Sequence, residues 1–205
     1  MTRDVKILSM LAGGVLLAAI AMLAVVNLKT RGRSETSSDI ASVAPGGTVA
    51  AGRMAADFKL PDLNGSTISL SSLRGKVVFL NIWATWCAPC REEMPSIESL
   101  YEEFRNDPDF VVLAVSQDTS SAAPVASYVA KNGLKFKVLL DPDNHVGDAY
   151  RVSGIPESFV IGRDGRIIAH HVGPYDWSST EMRDVLRELL NSKEGSSSKA
   201  SSKEG

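Results

Sequence analysis

Cys87 and Cys90 are the two cysteines of the chain, and Ala88-Pro89 alone separates them. A thiolate attacks a disulfide sulfur, and a second thiol three residues on can attack the mixed disulfide that results. This spacing therefore carries the chemistry of thiol–disulfide exchange. Where such a pair follows a buried strand and opens a helix, it reads as a redox motif rather than as half of a metal site. Free amides and the positive dipole end at a helix start favour a thiolate, which makes Cys87 the nucleophile and predicts a depressed pKa for it. Cys90, turned inward by the first helical turn, is then the resolving thiol. Pro89 suits that turn because its missing N–H would have no partner there. A structural or metal-binding pair is the competing reading of an isolated C-x-x-C, but neither a second pair nor a nearby histidine accompanies this one. No cofactor and no metal site are expected.

The motif requires a strand before it and a helix after it, and the surrounding sequence supplies both. Val77–Ile82 and Phe110–Val115 are nearly continuous β-branched runs, the pattern of strands buried on both faces of a sheet. Phe136–Leu140, Ser158–Ile161 and Arg166–Val172 are further strands, the last two joined through Gly162-Arg163-Asp164-Gly165 as a hairpin. Helical spacing appears at Ile97, Leu100, Tyr101 and Phe104, and again at Met182, Val185, Leu186 and Leu189. Ser178 and Glu181 read as the capping box of the latter helix. A third helix spans Ala122–Lys131 and stops at Asn132-Gly133. An extra hairpin over Phe58–Leu70 turns at Asn64-Gly65. Strand and helix alternate before a closing hairpin, so the class is α/β with a mixed sheet.

The 205 residues allow one domain plus appendages. A formal net charge of -2, from 22 basic and 24 acidic residues, offers no field to hold a phosphate backbone, so nucleic acid is not an expected partner. After a short flank at 1–6, Ile7–Val26 is an uninterrupted uncharged run, about the 20 residues a bilayer crossing takes, and the anchor is placed at 7–28. Arg3 and Lys6 before it and Lys29, Arg31 and Arg33 after it leave orientation undecided. A cleaved signal peptide ending near Ala19-Ile20-Ala21 is the alternative, although the apolar run continues past that point. Residues 29–54 lack periodicity and read as a flexible linker, 55–191 as the folded domain, and 192–205, with its repeated SKEG, as a disordered tail.

The run Trp83-Ala84-Thr85-Trp86-Cys87-Ala88-Pro89-Cys90-Arg91-Glu92-Glu93-Met94-Pro95 resembles the active site of the thioredoxin superfamily. It is most similar to the membrane-anchored, extracytoplasmic TlpA/ResA/DsbE branch, whose fold is of the AhpC/TSA-Redoxin kind. Leu70–Lys76 with the Gly65 hairpin resembles that branch's N-terminal extension, Gly154–Phe159 its cis-proline loop, and Gly173–Trp177 a TlpA-like segment. The resemblance covers nearly all of 55–191 and implies a thioredoxin fold with an N-terminal β-hairpin extension, preceded by one transmembrane helix. It also implies a Cys87–Cys90 redox-active disulfide and a cis bond at Pro156, which exposes the backbone of Ile155 to an extended client strand. Trp86 and Glu157 join Ile155 as implied client-binding residues, with Glu157 read either as part of the active-site surface or as a solvent-facing loop acid. Trp83 reads equally as a flank of the reactive sulfur and as core, and Pro95 is expected to kink the helix. Thioredoxin itself carries an aspartate where this chain has Asn81, which cannot take a proton at neutral pH. Glu93 matches the acid used instead in the ResA-like branch and is the expected proton shuttle for Cys90. His170 and His171 are adjacent on a strand, so they point to opposite faces; with His145 they read as surface or hairpin residues.

The activity implied by the resemblance is that of a protein-disulfide reductase, anchored in the bacterial inner membrane by lipid contact of its N-terminal helix. Its domain would lie in the periplasm or otherwise outside the cytoplasm. Client disulfides in apocytochrome c or copper-site assembly proteins, and a membrane electron donor of the DsbD/CcdA kind, are the implied partners. Two alternatives stand beside it. A thiol peroxidase is disfavoured because Ala84, not threonine, lies three residues before Cys87. A Cu(I)-binding assembly factor would use the two soft thiolates but lacks a convergent histidine.

Overall fold

The computed structural model describes residues 52–192. The expected anchor at 7–28, most of the expected linker and all but Ser192 of the expected tail lie outside the described residues. Among the described residues no helix is long and apolar enough to cross a membrane.

The chain runs through β1 (Lys59–Pro61), β2 (Thr67–Ser69), a 3-10 turn at Leu70–Leu73, β3 (Val77–Trp83) and α1 (Ala88–Phe104). It continues through β4 (Phe110–Ser116), α2 (Ala122–Asn132), β5 (Lys137–Leu140), α3 (His145–Tyr150), β6 (Glu157–Ile161), β7 (Ile167–Val172) and α4 (Thr180–Asn191). Five strands form one sheet in the order β5-β4-β3-β6-β7, and β1 pairs with β2 apart from it. The β3–β4 and β4–β5 pairs are parallel, and α1 and α2 supply the crossovers that parallel neighbours require. The β3–β6 and β6–β7 pairs are antiparallel, so the sheet is mixed, as its sequence pattern predicts.

Every residue of the central strand β3 is buried, which accounts for its unbroken apolar sequence. Its side chains alternate between two cores. Val77, Phe79 and Trp83 join Met94, Ile97 and Leu100 of α1, Val125 of α2 and Leu186 of α4 on one side. Val78, Leu80 and Ile82 join Leu60, Val146, Tyr150 and Phe159 on the other. Asn81 shares the first face, and that placement brings it to the site.

Several boundaries differ from the sequence expectation for local reasons. The folded domain starts before residue 55: Gly52 N donates to Ile167 O, Ile167 N to Arg53 O and Ala55 N to Gly165 O, so the end of the expected linker lies along β7. The cap of α4 is Ser179, whose Oγ accepts from Met182 N, not Ser178. Ser178 fits the capping pattern, but its N–H and hydroxyl both go to Asp176 Oδ1. Helix α3 is too short to have shown periodicity. The expected N-terminal hairpin is present; Asp62 Oδ1 accepts from Asn64 N and Ser66 N, and Gly65 takes φ +82°, a conformation glycine adopts without a Cβ clash.

Candidate active site

The C-terminal end of β3 delivers the motif. Its hydrogen bonds end at Trp83, the chain crosses a short loop, and α1 starts at Ala88 with Cys87 as N-cap. The loop is tied to the end of β4. Gln117 N donates to Trp83 O at 2.8 Å, and buried Asp118 accepts from Thr85 N at 2.9 Å and from Thr85 Oγ1 at 2.5 Å. Ser116 Oγ completes the Asp118 environment at 2.7 Å. Asp118 is absent from the sequence expectations; its signal is an acid two residues past a buried strand, level with the motif.

Cys87 and Cys90 are joined in a disulfide. The Cys90 amide donates to Cys87 Sγ at 3.2 Å, so a free amide of the first turn of α1 is aimed at the sulfur assigned as nucleophile. Cys87 retains 5% of its surface and Cys90 none, giving an outer and an inner sulfur. Pro89 sits in the first turn, and Pro95 lies inside α1 without ending it. Across from the pair the Ile155–Pro156 peptide is cis, and Ile155 O lies 3.6 Å from Cys87 Sγ. The two tryptophans divide. Trp83 is fully buried against Tyr128 and belongs to the core, whereas Trp86 is 66% exposed beside the outer sulfur.

Glu93 follows Cys90 by three residues, one helical turn on the same side of α1. It is buried, and its carboxylate is the acceptor for three donors. Oε1 receives Asn81 Nδ2 at 2.8 Å, and Oε2 receives Tyr175 N and Trp177 Nε1, each at 3.1 Å. Burial outweighs these three bonds and pushes the carboxyl up to about 7. Asn81 Nδ2 also donates to Ser158 Oγ at 2.9 Å, while its Oδ1 is buried without a hydrogen-bond partner. The Asn81–Ser158 register of β3 and β6 explains that contact. Tyr175 and Trp177 reach Glu93 from the loop after β7, which turns at Gly173 with φ +92°. An open groove of about 530 Å³ lined by Glu92, Pro95, Ser96, Pro174, Tyr175 and Asp176 leads from Glu93 to the surface. Sequence alone does not mark Trp177 as a partner of Glu93; its signal is an indole in a polar, proline-containing loop, which suggests a side chain folded back onto the domain.

Two expectations are corrected by the structure. Glu157 is not a surface acid. It is 2% exposed, because its place in β6 opposite Ile82 and Val172 turns it under the sheet. Of the two readings of His170, the hairpin one holds and the surface one does not. Its Nε2 lies 2.5 Å from Glu157 Oε1, and its ring stacks on Phe159. His171 does point to the other face, towards Tyr175 and Trp177, and His145 is exposed. Among the described residues no three His, Cys, Asp or Glu side chains converge as a metal-holding group.

Comparison with known proteins places this geometry in a family. The model of the AhpC/TSA family matches residues 51–170. The thiol-disulfide oxidoreductase ResA of Bacillus subtilis strain 168 is 40% identical over 59% of this chain and 66% of its own length, just under two thirds. ResA of Bacillus anthracis is 38% identical over 60% of this chain and 69% of its own. Among solved structures, a candidate thiol:disulfide interchange protein DsbE from Chlorobium tepidum has a TM-score of 0.63 at 31% identity, covering 70% of this chain and 99% of that one. StoA from Bacillus subtilis has a TM-score of 0.54 at 26% identity, over 66% of this chain and 96% of that one.

Proposed function

Because the chain belongs to the AhpC/TSA family, and within it stands with thiol-disulfide oxidoreductases of the ResA and DsbE type, we propose that it reduces disulfides of client proteins through Cys87 and Cys90. The observation that carries this reading is the disulfide at the start of α1, with its outer sulfur facing Ile155 and its inner sulfur fully buried one helical turn before the buried Glu93. In the reduced protein the Cys87 thiolate attacks one client sulfur, and the other client sulfur leaves as a thiolate. Glu93 takes the proton from Cys90, whose thiolate then attacks Cys87 Sγ and releases the second client thiolate. One client disulfide becomes two thiols, two protein thiols become the disulfide seen here, and two electrons pass to the client.

The client approaches as an extended strand across Ile155, and Trp86 supplies apolar contact area at the rim. Trp86→Ala is expected to raise KM for a protein disulfide about tenfold, as loss of an interface tryptophan does. Because the side chain is mostly solvated, folding stability should move by no more than about 0.5 kcal/mol. Disulfide-reduction kinetics together with thermal melts check both values.

Location and clients belong to the same proposal. The 7–28 segment anchors the protein in the bacterial inner membrane with its domain outside the cytoplasm, where a donor of the DsbD/CcdA kind restores the thiols. Its clients are apocytochrome c or copper-site assembly proteins. The uncharged apolar run and the resemblance to the anchored branch support this. Carbonate-resistant membrane association with protease access from the periplasmic side tests the anchoring. Release into the soluble fraction contradicts it. For the activity, the reduced full chain is mixed anaerobically with insulin, and the expected result is one insulin disulfide opened per Cys87–Cys90 disulfide formed.

A further inference from the structure

We propose that Glu157 and His170 form a clasp beneath the Ile155–Pro156 loop that fixes its docking geometry, which makes His170 a positioning residue for selecting protein disulfides over small ones. The proposal rests on the oxidoreductase reading and adds to it a residue outside the reactive centre. In the β6–β7 register Glu157 stands opposite Val172 and His170 opposite Phe159, so Glu157 and His170 are diagonal neighbours on the face away from α1. Glu157 Oε1 meets His170 Nε2 at 2.5 Å, and Oε2 accepts from Ser153 N at 3.2 Å. One carboxylate thus bridges the start of the 153–157 loop to β7. Gly173 N, donating to Pro156 O at 2.9 Å, ties the other end of the loop to the residue that follows the same strand.

The clasp is held in one position. The His170 ring lies parallel to Phe159, 2° from coplanar with centroids 4.4 Å apart, and Phe159 meets Tyr150 edge-on at 5.0 Å. Tyr150 is in turn fixed by a 2.9 Å bond from its hydroxyl to Ala56 O. A carboxylate this deeply buried must be paired. Removing the ring N–H leaves Glu157 Oε1 without its partner, and the relief available is for Glu157 to turn outward, carrying the loop and Ile155 with it. Ile155 faces Cys87 directly, so a displaced loop disturbs the docking of a chain more than attack on a small disulfide. A small aromatic disulfide needs the sulfur alone.

The test uses the reduced full chain with insulin and with 5,5′-dithiobis(2-nitrobenzoate). His170→Phe keeps the stack on Phe159 and removes the donor, while His170→Gln places an amide N–H at the reach of Nε2. His170→Phe is expected to raise KM for insulin about tenfold, and to lower the ratio of kcat/KM on insulin to that on the small disulfide by a similar factor. His170→Gln should recover most of that ratio. Should His170→Phe not fold, Glu157→Gln, which keeps the volume and weakens the bridge, must lower the same ratio. An unaltered ratio in a folded variant, or a ratio that His170→Gln does not recover, overturns the clasp. If the unsubstituted chain opens no insulin disulfide at all, it is the oxidoreductase reading that falls.

Discussion

Cys90→Ser is expected to halt the reaction halfway, leaving the client attached to Cys87 through a mixed disulfide, while Cys87→Ser forms no adduct. The asymmetry stems from the two sulfurs' positions. Cys87 caps α1 with the Cys90 amide directed at its sulfur, and it retains some exposure, whereas Cys90 is sealed and can react only with a sulfur delivered to it. With Cys87 attacking first, removal of Cys90 deletes the second exchange but not the first. Multiple turnover should fall by at least about a thousandfold in either variant, as it does when a covalent nucleophile is lost. Non-reducing gels and intact-mass measurement distinguish the two. An adduct at Cys90 in Cys87→Ser would reverse the assignment. The same pair of variants separates the peroxidase alternative, because fast sulfenic acid formation at Cys87 with hydrogen peroxide is expected of a peroxidase and not of a disulfide reductase.

Glu93→Gln is expected to slow the resolving step by about a hundredfold to ten-thousandfold, the usual worth of a positioned general base. It should also remove an inflection near pH 7 from the rate of that step, since burial holds the Glu93 carboxyl at about 7. The same substitution has an opposite effect on stability. Folding raises this carboxyl from its ordinary 4.5 to about 7, so between those values the native state holds the proton and the unfolded chain does not. The stabilisation is complete below about pH 4.5, declines as pH rises towards 7 and is gone above it. At about 1.4 kcal/mol per pH unit the difference is about 3 kcal/mol. Glutamine does not titrate, so relative to wild type the variant should gain about that much between pH 4.5 and pH 8 in the disulfide form. Accepting the new amide requires Asn81 to turn over so that Oδ1 faces it and Ser158 Oγ, which moves the unpartnered position from Oδ1 to Nδ2 and trims the gain. Denaturant titrations across that pH range check the slope. A stability difference independent of pH, with the resolving rate unchanged, would remove Glu93 from the mechanism.

The parts of this site that come from one stretch of chain were legible in the sequence, and the parts that come from pairing were not. Val77–Ile82, the C-x-x-C and the amphipathic run to Phe104 are local, and together they place two sulfurs at a helix start. Glu93, one turn from Cys90, was reached through the resemblance to the ResA-like branch and not from spacing alone. Its partners were not, because Trp177 lies 84 residues away and meets it only through the loop after β7. Glu157 and His170 show the limit sharply. Strand periodicity puts His170 and His171 on opposite faces, but which face is buried depends on the β6–β7 register, and a shift of one residue would exchange them. Beside Pro156, Glu157 reads as a loop acid, whereas the ladder with β3 and β7 makes it the first residue of a buried strand. The paired serines before α4 carry the right motif at the wrong residue, since Asp176 competes for Ser178.

We propose that the Cys87–Cys90 pair works as a reductant. Its reduction potential in the full chain, measured by thiol trapping in defined redox buffers, tests this most directly. The uncharged Ala88-Pro89 between the cysteines adds no group that would further stabilise the thiolate, which favours a low-potential couple. A value below about -200 mV is predicted, on the side of thioredoxin's ~-270 mV. A value near the ~-120 mV of DsbA would contradict it, because the pair would then draw electrons from clients instead of supplying them.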